Sequence, residues 1–119
     1  MDNVIVSCAS GADSAENVTV AYQTAGAALA AGREVVMWLS VDGVRLAEAE
    51  YADGIQSIGA PPVSELHARF VAAGGRFFVS SSCWRARELD DARLVPGAEL
   101  RDAGALFEFA GDDAITFSY

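Results

Sequence analysis

The chain has 119 residues, a length that predicts one domain spanning residues 1–119. Its formal net charge is −9 and its basic residues are eight scattered arginines, which argues against nucleic acid and anionic membranes as partners. No basic leader and no apolar run of about twenty residues is present, so we expect a cytoplasmic protein in which Cys8 and Cys83 are free thiols.

Strands and helices alternate along the predicted chain. Apolar runs predict strands at 4–8, 34–40, 76–80, 94–95 and 114–119, and helical spacing predicts helices at 15–31, 44–51, 63–73, 83–91 and 98–110. This order predicts a mainly parallel sheet between two helical layers. The apolar content of 52% fits such a sheet, an oligomer interface, or both. The Gly- and Pro-containing stretch 52–62 is a candidate lid or oligomer contact.

The segment 77–87 holds the strongest functional candidate. An apolar strand runs directly into three serines at 80–82, then Cys83, then a predicted helix with Arg85 and Arg87. Ligands bind where a parallel strand ends and a helix begins, and both helix amides and guanidinium groups favour a thiolate. Cys83 is therefore either a reactive thiolate or an inert buried cysteine, which is also a common state of this residue type.

The remaining candidates are weaker. Cys8 ends the first strand and is expected in the core, His67 is expected to face solvent or an interface, and Trp84 either walls a ligand pocket or fills an interface. One histidine and two distant cysteines argue against a metal site. We expect no cofactor, because the chain has neither a lysine-containing phosphate loop nor a dinucleotide fingerprint.

Three segments resemble the DsrE/DsrF-like family, also called YchN-like. They are Asp-Gly-Val-Arg-Leu-Ala at 42–47, Ser-Ser-Ser-Cys-Trp-Arg-Ala-Arg at 80–87, and the closing strand at 115–118. Many members carry Cys-x-x-Cys-x-x-Ala-Arg at the second place. The resemblance implies a three-layer α/β/α sandwich with a five-stranded parallel sheet. It also implies a homo-oligomer, a trimer or hexamer, and a sulfur-transfer protein as a further partner.

The resemblance further implies a role in sulfur relay or thiol redox chemistry. The best understood members carry a persulfide on the first cysteine of that motif, and this position is Ser80 here. A serine cannot hold a persulfide, so either Cys83 takes over the task or the activity is lost. A single thiol cannot form the local disulfide of the Cys-x-x-Cys members. Pairing Cys83 with Cys8 would require their Cα atoms to approach within about 7 Å.

Three functions therefore remain open at this stage, and the sequence does not decide whether the protein is an enzyme. The first is sulfur relay or thiol redox chemistry at Cys83. The second is a non-catalytic oligomeric module that binds a small anion or metabolite at the strand ends; its candidate ligand-binding residues, beside Ser80, are Ser10, Ser81, Ser82, Trp84 and Arg87. The third is a structural subunit that only packs against a partner.

Overall fold

The fold is built on one sheet of five parallel strands. The computed structural model describes residues 2–119, so Met1 of the predicted domain lies outside the described residues. The strands are β1 (Asn3–Cys8), β2 (Val35–Leu39), β3 (Arg76–Ser80), β4 (Ala98–Arg101) and β5 (Ala114–Ser118). Their order across the sheet is β4-β3-β2-β1-β5, and all four pairings are parallel. The predicted five-stranded α/β fold is confirmed.

The helices cover the two faces of the sheet unequally. They are α1 (Ala15–Ala30), α2 (Val63–Ala72), α3 (Ser81–Ala86) and α4 (Gly104–Ala110). Successive strand residues point to opposite faces, so Met37 joins the large core under α1 and α2, while Val36 joins a small cluster under α4. Within residues 2–119, no helix is long and apolar enough to span a bilayer.

The predicted helix at 98–110 is wrong in its first half, which forms β4. The sequence Ala-Glu-Leu-Arg has good helix propensity, but it pairs with β3 through Ala98 opposite Phe77 and Leu100 opposite Val79. Leu100 thereby packs against the main core. The strand predicted at 94–95 is reduced to an isolated antiparallel bridge between Leu94 and Glu48. Pairing with β3 therefore outweighs the helix propensity of these four residues, which is small in total.

Two further predicted helices are shorter or different in type. The helix expected at 83–91 is α3, which ends at Ala86, and Glu88 then adopts a left-handed conformation with φ of 53° that stops the helix. The helix expected at 44–51 is replaced by 3₁₀ segments at Val41–Ala47 and Tyr51–Gly54. The second of these shortens the irregular stretch that was predicted at 52–62.

The 3₁₀ segment Val41–Ala47 lies close against the end of β1, and Gly43 makes this approach possible. A Cβ atom at Gly43 would collide with the backbone carbonyl of Cys8. The Gly43 N–H donates to Ser40, and the Ser40 N–H donates to Cys8, so the turn is anchored to two strand ends. This anchoring places Val41 and Asp42 at the carboxyl edge of the sheet.

The prediction that His67 faces solvent is wrong, and its alternative placement at an interface stays a prediction. Its ring is half-buried and stacks on Phe77 with ring centroids 5.0 Å apart, and its Nδ1 atom is 2.8 Å from the Tyr22 hydroxyl. His67 lies three residues before the buried Phe70 on α2, so both side chains lie on the inner face of that helix. The three-residue spacing of His67 and Phe70 on this helix therefore indicated that His67 faces the core.

Candidate functional site

Cys83 lies on α3, just beyond the carboxyl end of β3, and its side chain is partly exposed. Ser80 ends β3 and caps α3: its Oγ accepts a hydrogen bond from the Cys83 backbone N–H at 3.4 Å. The Ser80 Oγ is also 3.3 Å from the Ser82 Oγ. The serine run thus brings two hydroxyl groups to the base of the thiol.

The surroundings of Cys83 favour its thiolate. The pKa of Cys83 is lowered from its ordinary value, first by a hydrogen bond from the Ser80 hydroxyl and then by one from the Val41 backbone N–H. The positive charge of Arg87 and the Ser82 hydroxyl lower this pKa further, while partial burial opposes them. The Ser80 and Ser82 hydroxyls and the Val41 N–H of a neighbouring turn therefore join the guanidinium that the sequence pattern predicted beside Cys83.

Val41 reaches the thiol through an unusual backbone conformation. Its φ is 52°, in the left-handed region that β-branched residues avoid at a cost of about 1–2 kcal/mol. Its side chain is 49% exposed, so apolar burial does not account for this conformation. Strained backbone of this kind concentrates at functional sites. Val41 carries no signal of its own in the sequence, where the only nearby one is the Asp-Gly turn that follows it.

Arg87 links the Val41–Ala47 turn to α3. Its Nη2 and Nε atoms donate to the Asp42 Oδ1 atom at 2.9 Å and 3.2 Å, and its Nη1 atom donates to the Cys83 carbonyl at 3.2 Å. The ion pair therefore joins two of the three segments that carried the resemblance, 42–47 and 80–87. It holds the guanidinium near Cys83 and ties the Val41 backbone to the same helix.

The other predicted ligand-binding residues are not gathered around the thiol. Ser10 follows β1, where its carbonyl accepts a weak hydrogen bond from the Cys8 thiol at 3.6 Å. Trp84 is completely buried, and its indole N–H donates to Asp91 at 2.8 Å, so its ring presents no surface to a ligand. Of the predicted set, the structure places Ser80, Ser82 and Arg87 beside Cys83.

Ser81 instead lines a second, polar cleft between α3, β4 and α4. The Ser81 hydroxyl donates to the Arg101 carbonyl at 3.3 Å. The cleft has a volume of about 590 Å³ and is lined by Ser81, Arg85, Leu100, Arg101, Asp102, Gly104, Ala105 and Glu108. Its two guanidinium groups are partly balanced by carboxylates, because Arg101 contacts Glu108. Sequence analysis missed this cleft because it did not predict β4.

Cys8 is fully buried, and burial raises the pKa of its thiol. Cys8 and Cys83 are both free thiols. The strand that carries Cys8 is separated by β2 from the strand that leads to Cys83, a spacing of about 9.5 Å between strands. Over residues 2–119, no group of three or more His, Cys, Asp and Glu side chains is placed to hold a metal ion.

Comparison with known proteins agrees with this fold. The chain matches the model of the DsrE/DsrF-like family over residues 2–117. The chain belongs to the DsrE/DsrF-like family. This membership confirms the family resemblance that the sequence indicated.

Two solved structures superpose on the whole of this DsrE/DsrF-like chain. The ychN protein from E. coli superposes with a TM-score of 0.80 at 12% identity, and both chains are covered completely. MTH1491, a protein of unknown function from Methanobacterium thermoautotrophicum, superposes with a TM-score of 0.75 at 14% identity, again over the whole of both chains. At these identities the similarity establishes the fold alone. A search of curated proteins found no match.

Proposed function

We propose that this DsrE/DsrF-like protein carries sulfur on Cys83, as a persulfide carrier that receives and passes on a sulfur atom. The observation that supports this best is the partly exposed Cys83 thiol with hydroxyl, backbone N–H and guanidinium groups that lower its pKa. Thiolate is the nucleophilic form of cysteine, so these contacts raise the reactive fraction at neutral pH. Family membership supports the same class of chemistry.

The transfer step is a thiol–persulfide exchange that needs no external oxidant. The Cys83 thiolate attacks the outer sulfur of a donor persulfide, a new S–S bond forms, and the donor S–S bond breaks. The donor leaves as a thiolate with the electron pair, and Cys83 keeps the protonated outer sulfur as its persulfide. Attack by an acceptor thiolate on that outer sulfur reverses the exchange and regenerates Cys83.

A carrier fits this chain better than an internal redox couple. Cys8 is buried on a different strand, so no second thiol within residues 2–119 is placed to resolve an oxidised Cys83. Ser80 occupies the position that resembles the family's carrier cysteine, and here its hydroxyl supports Cys83 instead. Free thiols are typical of a reducing compartment, so this proposal predicts a cytoplasmic location. A carrier also needs a protein that supplies or accepts the sulfur atom, so it predicts a sulfur-transfer partner.

The test is the pH profile of iodoacetamide labelling at Cys83. We expect wild type to react faster than free cysteine at neutral pH, and Cys83→Ser to lose the fast labelling because Cys8 is buried. Ser80→Ala should move the labelling midpoint to higher pH. Ser81→Ala is the matched control, since Ser81 donates to the Arg101 carbonyl, and its midpoint should stay unchanged.

Persulfide loading then tests the carrier role directly. Treatment with a low-molecular-weight persulfide should add one sulfur atom to Cys83, detected by mass spectrometry, and dithiothreitol should remove it. Labelling no faster than that of free cysteine, or loading that does not depend on Cys83, would contradict the proposal.

The cleft beside α3 favours a second function, the binding of a small anion or metabolite without thiol chemistry. Arg85 and Arg101 both line this cleft at the carboxyl edge of the sheet, where α/β proteins bind ligands. Thermal-shift measurements with sulfate, thiosulfate and small carboxylates separate the two functions. Stabilisation that survives Cys83→Ser and disappears in Arg85→Gln would support binding at the cleft. The absence of any shift would count against it.

A further inference from the structure

Strand β5 is the most exposed strand of the sheet. It pairs with β1 on one side, and no strand formed by residues 2–119 lies on its other side. Every residue of β5 except Ala114 is exposed, including Ile115 at 36% and Phe117 at 41%. Exposed large apolar side chains on an open edge strand are unusual, because such an edge is a template for another strand.

The backbone groups on this open edge can be assigned from the ladder. The Tyr119 N–H donates to the Ser7 carbonyl, and the Tyr119 carbonyl accepts from the Ala9 N–H, so Tyr119 bonds toward β1. With a period of two, Ile115 and Phe117 also bond toward β1. The N–H and C=O groups of Ala114, Thr116 and Ser118 therefore point away from the sheet.

The opposite edge of the sheet, strand β4, carries charged side chains that discourage pairing with another strand, whereas β5 carries none. On β4, Glu99 forms ion pairs with Arg76 and Arg101, and charged side chains on an edge prevent unwanted pairing. The sequence of β5 is Ala-Ile-Thr-Phe-Ser and contains no charge, proline or glycine. In a chain with a net charge of −9, this uncharged strip is a surface on which two copies can meet with little local repulsion.

We propose that β5 pairs antiparallel with β5 of a second copy of this chain, about a twofold axis centred on Thr116. Each outward N–H then meets an outward C=O, with Thr116 opposite its own copy and Ala114 opposite Ser118. On the α1 side, Ile115 lies directly opposite Phe117 of the other copy. Such β-branched and aromatic cross-strand pairs contribute about 0.2–1 kcal/mol each.

Two features favour this occupant and this orientation. The antiparallel arrangement places the acidic pair Asp112–Asp113, which precedes β5, at opposite ends of the new ladder; a parallel arrangement would place the two pairs side by side. A largely apolar groove of about 270 Å³ between α1 and β5, lined in part by Ala27, Ala28 and Ala31, adjoins Ile115 and Phe117.

The proposed β5 pairing specifies one interface of the expected oligomer, and it does not depend on Cys83. A twofold contact produces a dimer, or joins two trimers into a hexamer, and cannot by itself build a trimer. The interface lies on the β1 side of the sheet, whereas Cys83 follows β3. Failure of this proposal would therefore leave the thiol chemistry unaffected, and the reverse also holds.

The first test is the mass in solution by light scattering. Thr116→Pro removes an outward N–H that the chain itself does not use, so we expect the fold to persist and the wild-type mass to fall by half. Thr116→Val keeps the N–H and the strand preference, and should retain the wild-type mass. Circular dichroism confirms that both variants are folded. A monomeric wild type, or a mass unchanged in folded Thr116→Pro, would overturn the proposal.

The second test does not rely on a proline variant. In a Cys83→Ser background, Thr116→Cys places two thiols on the proposed axis, where residues of a hydrogen-bonded antiparallel pair have Cα atoms about 5.5 Å apart. This distance suits a disulfide, so mild oxidation should produce a covalent dimer. Glu99→Cys on the β4 edge is the matched control and should stay monomeric on a denaturing gel. Equal cross-linking at both positions, or none at Thr116→Cys, would also overturn the proposal.

Discussion

At the scale of single residues, the two cysteines show how surroundings decide the chemistry of one side chain. Cys8 is enclosed by the main core, and desolvation raises the pKa of its thiol. Cys83 keeps contact with solvent, and hydrogen bonds led by the Ser80 hydroxyl lower its pKa. Cys8 ends one apolar strand and Cys83 closely follows another, so sequence context alone does not separate a core thiol from a reactive one.

His67 is a second residue whose ionisation depends on packing. Burial among Tyr22 and Phe77 lowers the pKa of His67 from its ordinary value, while the Asp53 carboxylate opposes this shift. The Tyr22 hydroxyl can donate to or accept from the ring, so desolvation sets the direction. A histidine that is harder to protonate in the folded state stabilises the fold only while it stays neutral.

The predicted consequence is acid sensitivity below the pKa of an unfolded histidine, about 6.5. Stability from neutral His67 is present above that pH and is lost as pH falls toward the lower folded pKa, at up to about 1.4 kcal/mol per pH unit. His67→Gln does not titrate and should lack this component. The measurement is the unfolding free energy of both proteins by urea titration between pH 5 and about 7.5. Parallel pH curves for the two proteins would contradict it.

At the scale of elements, the Val41–Ala47 turn connects the core to the thiol. Its Gly43 lies against the Cys8 carbonyl, its Asp42 is bonded to Arg87, and its Val41 donates toward Cys83. The turn touches the ends of three neighbouring strands, because β1, β2 and β3 are adjacent in the sheet. Changes in this turn should therefore affect both stability and thiol reactivity.

Two glycine substitutions test that role with opposite expected signs. Gly43→Ala forces a Cβ atom into the Cys8 carbonyl and should destabilise the protein by about 1–3 kcal/mol, as in other overpacked sites. Gly26→Ala on α1 meets nothing within 4 Å and should stabilise it by about 0.5–1 kcal/mol through helix propensity. Urea unfolding midpoints measure both. A neutral Gly43→Ala would show that the turn can move freely, contrary to its proposed role beside Cys83.

At the scale of the whole molecule, the sheet is covered unevenly. The main core lies under α1 and α2, whereas the cluster on the other face under α4 is built on Val36, Phe78 and Ala105. Parallel sheets normally bury both faces, and β5 lies uncovered at one edge. The proposed twofold pairing would occupy this open edge and bring Ile115 against Phe117 of the second copy.

Sequence reasoning reached the overall order and missed details that depend on distant partners. Strands β1, β2 and β3 were predicted because continuous β-branched and aromatic runs are typical of buried parallel strands. Strand β4 was missed because its alternating charged residues, Glu99 and Arg101, are stabilised by pairing with β3 and by the ion pair of Glu99 with Arg76 on that strand. The candidate thiol was found, but its Val41 donor lies about forty residues earlier in the chain and carries no local signal.

The sequence by itself determined the alternation of strands and helices, the family, and the choice of Cys83 as the candidate thiol, because these follow from local patterning and short motifs. The tertiary structure alone decided which groups lower the pKa of that thiol, which serines turn away from it, and which strand edge stays open. These properties depend on residues brought together from separate strands, and on the left-handed backbone conformation of Val41.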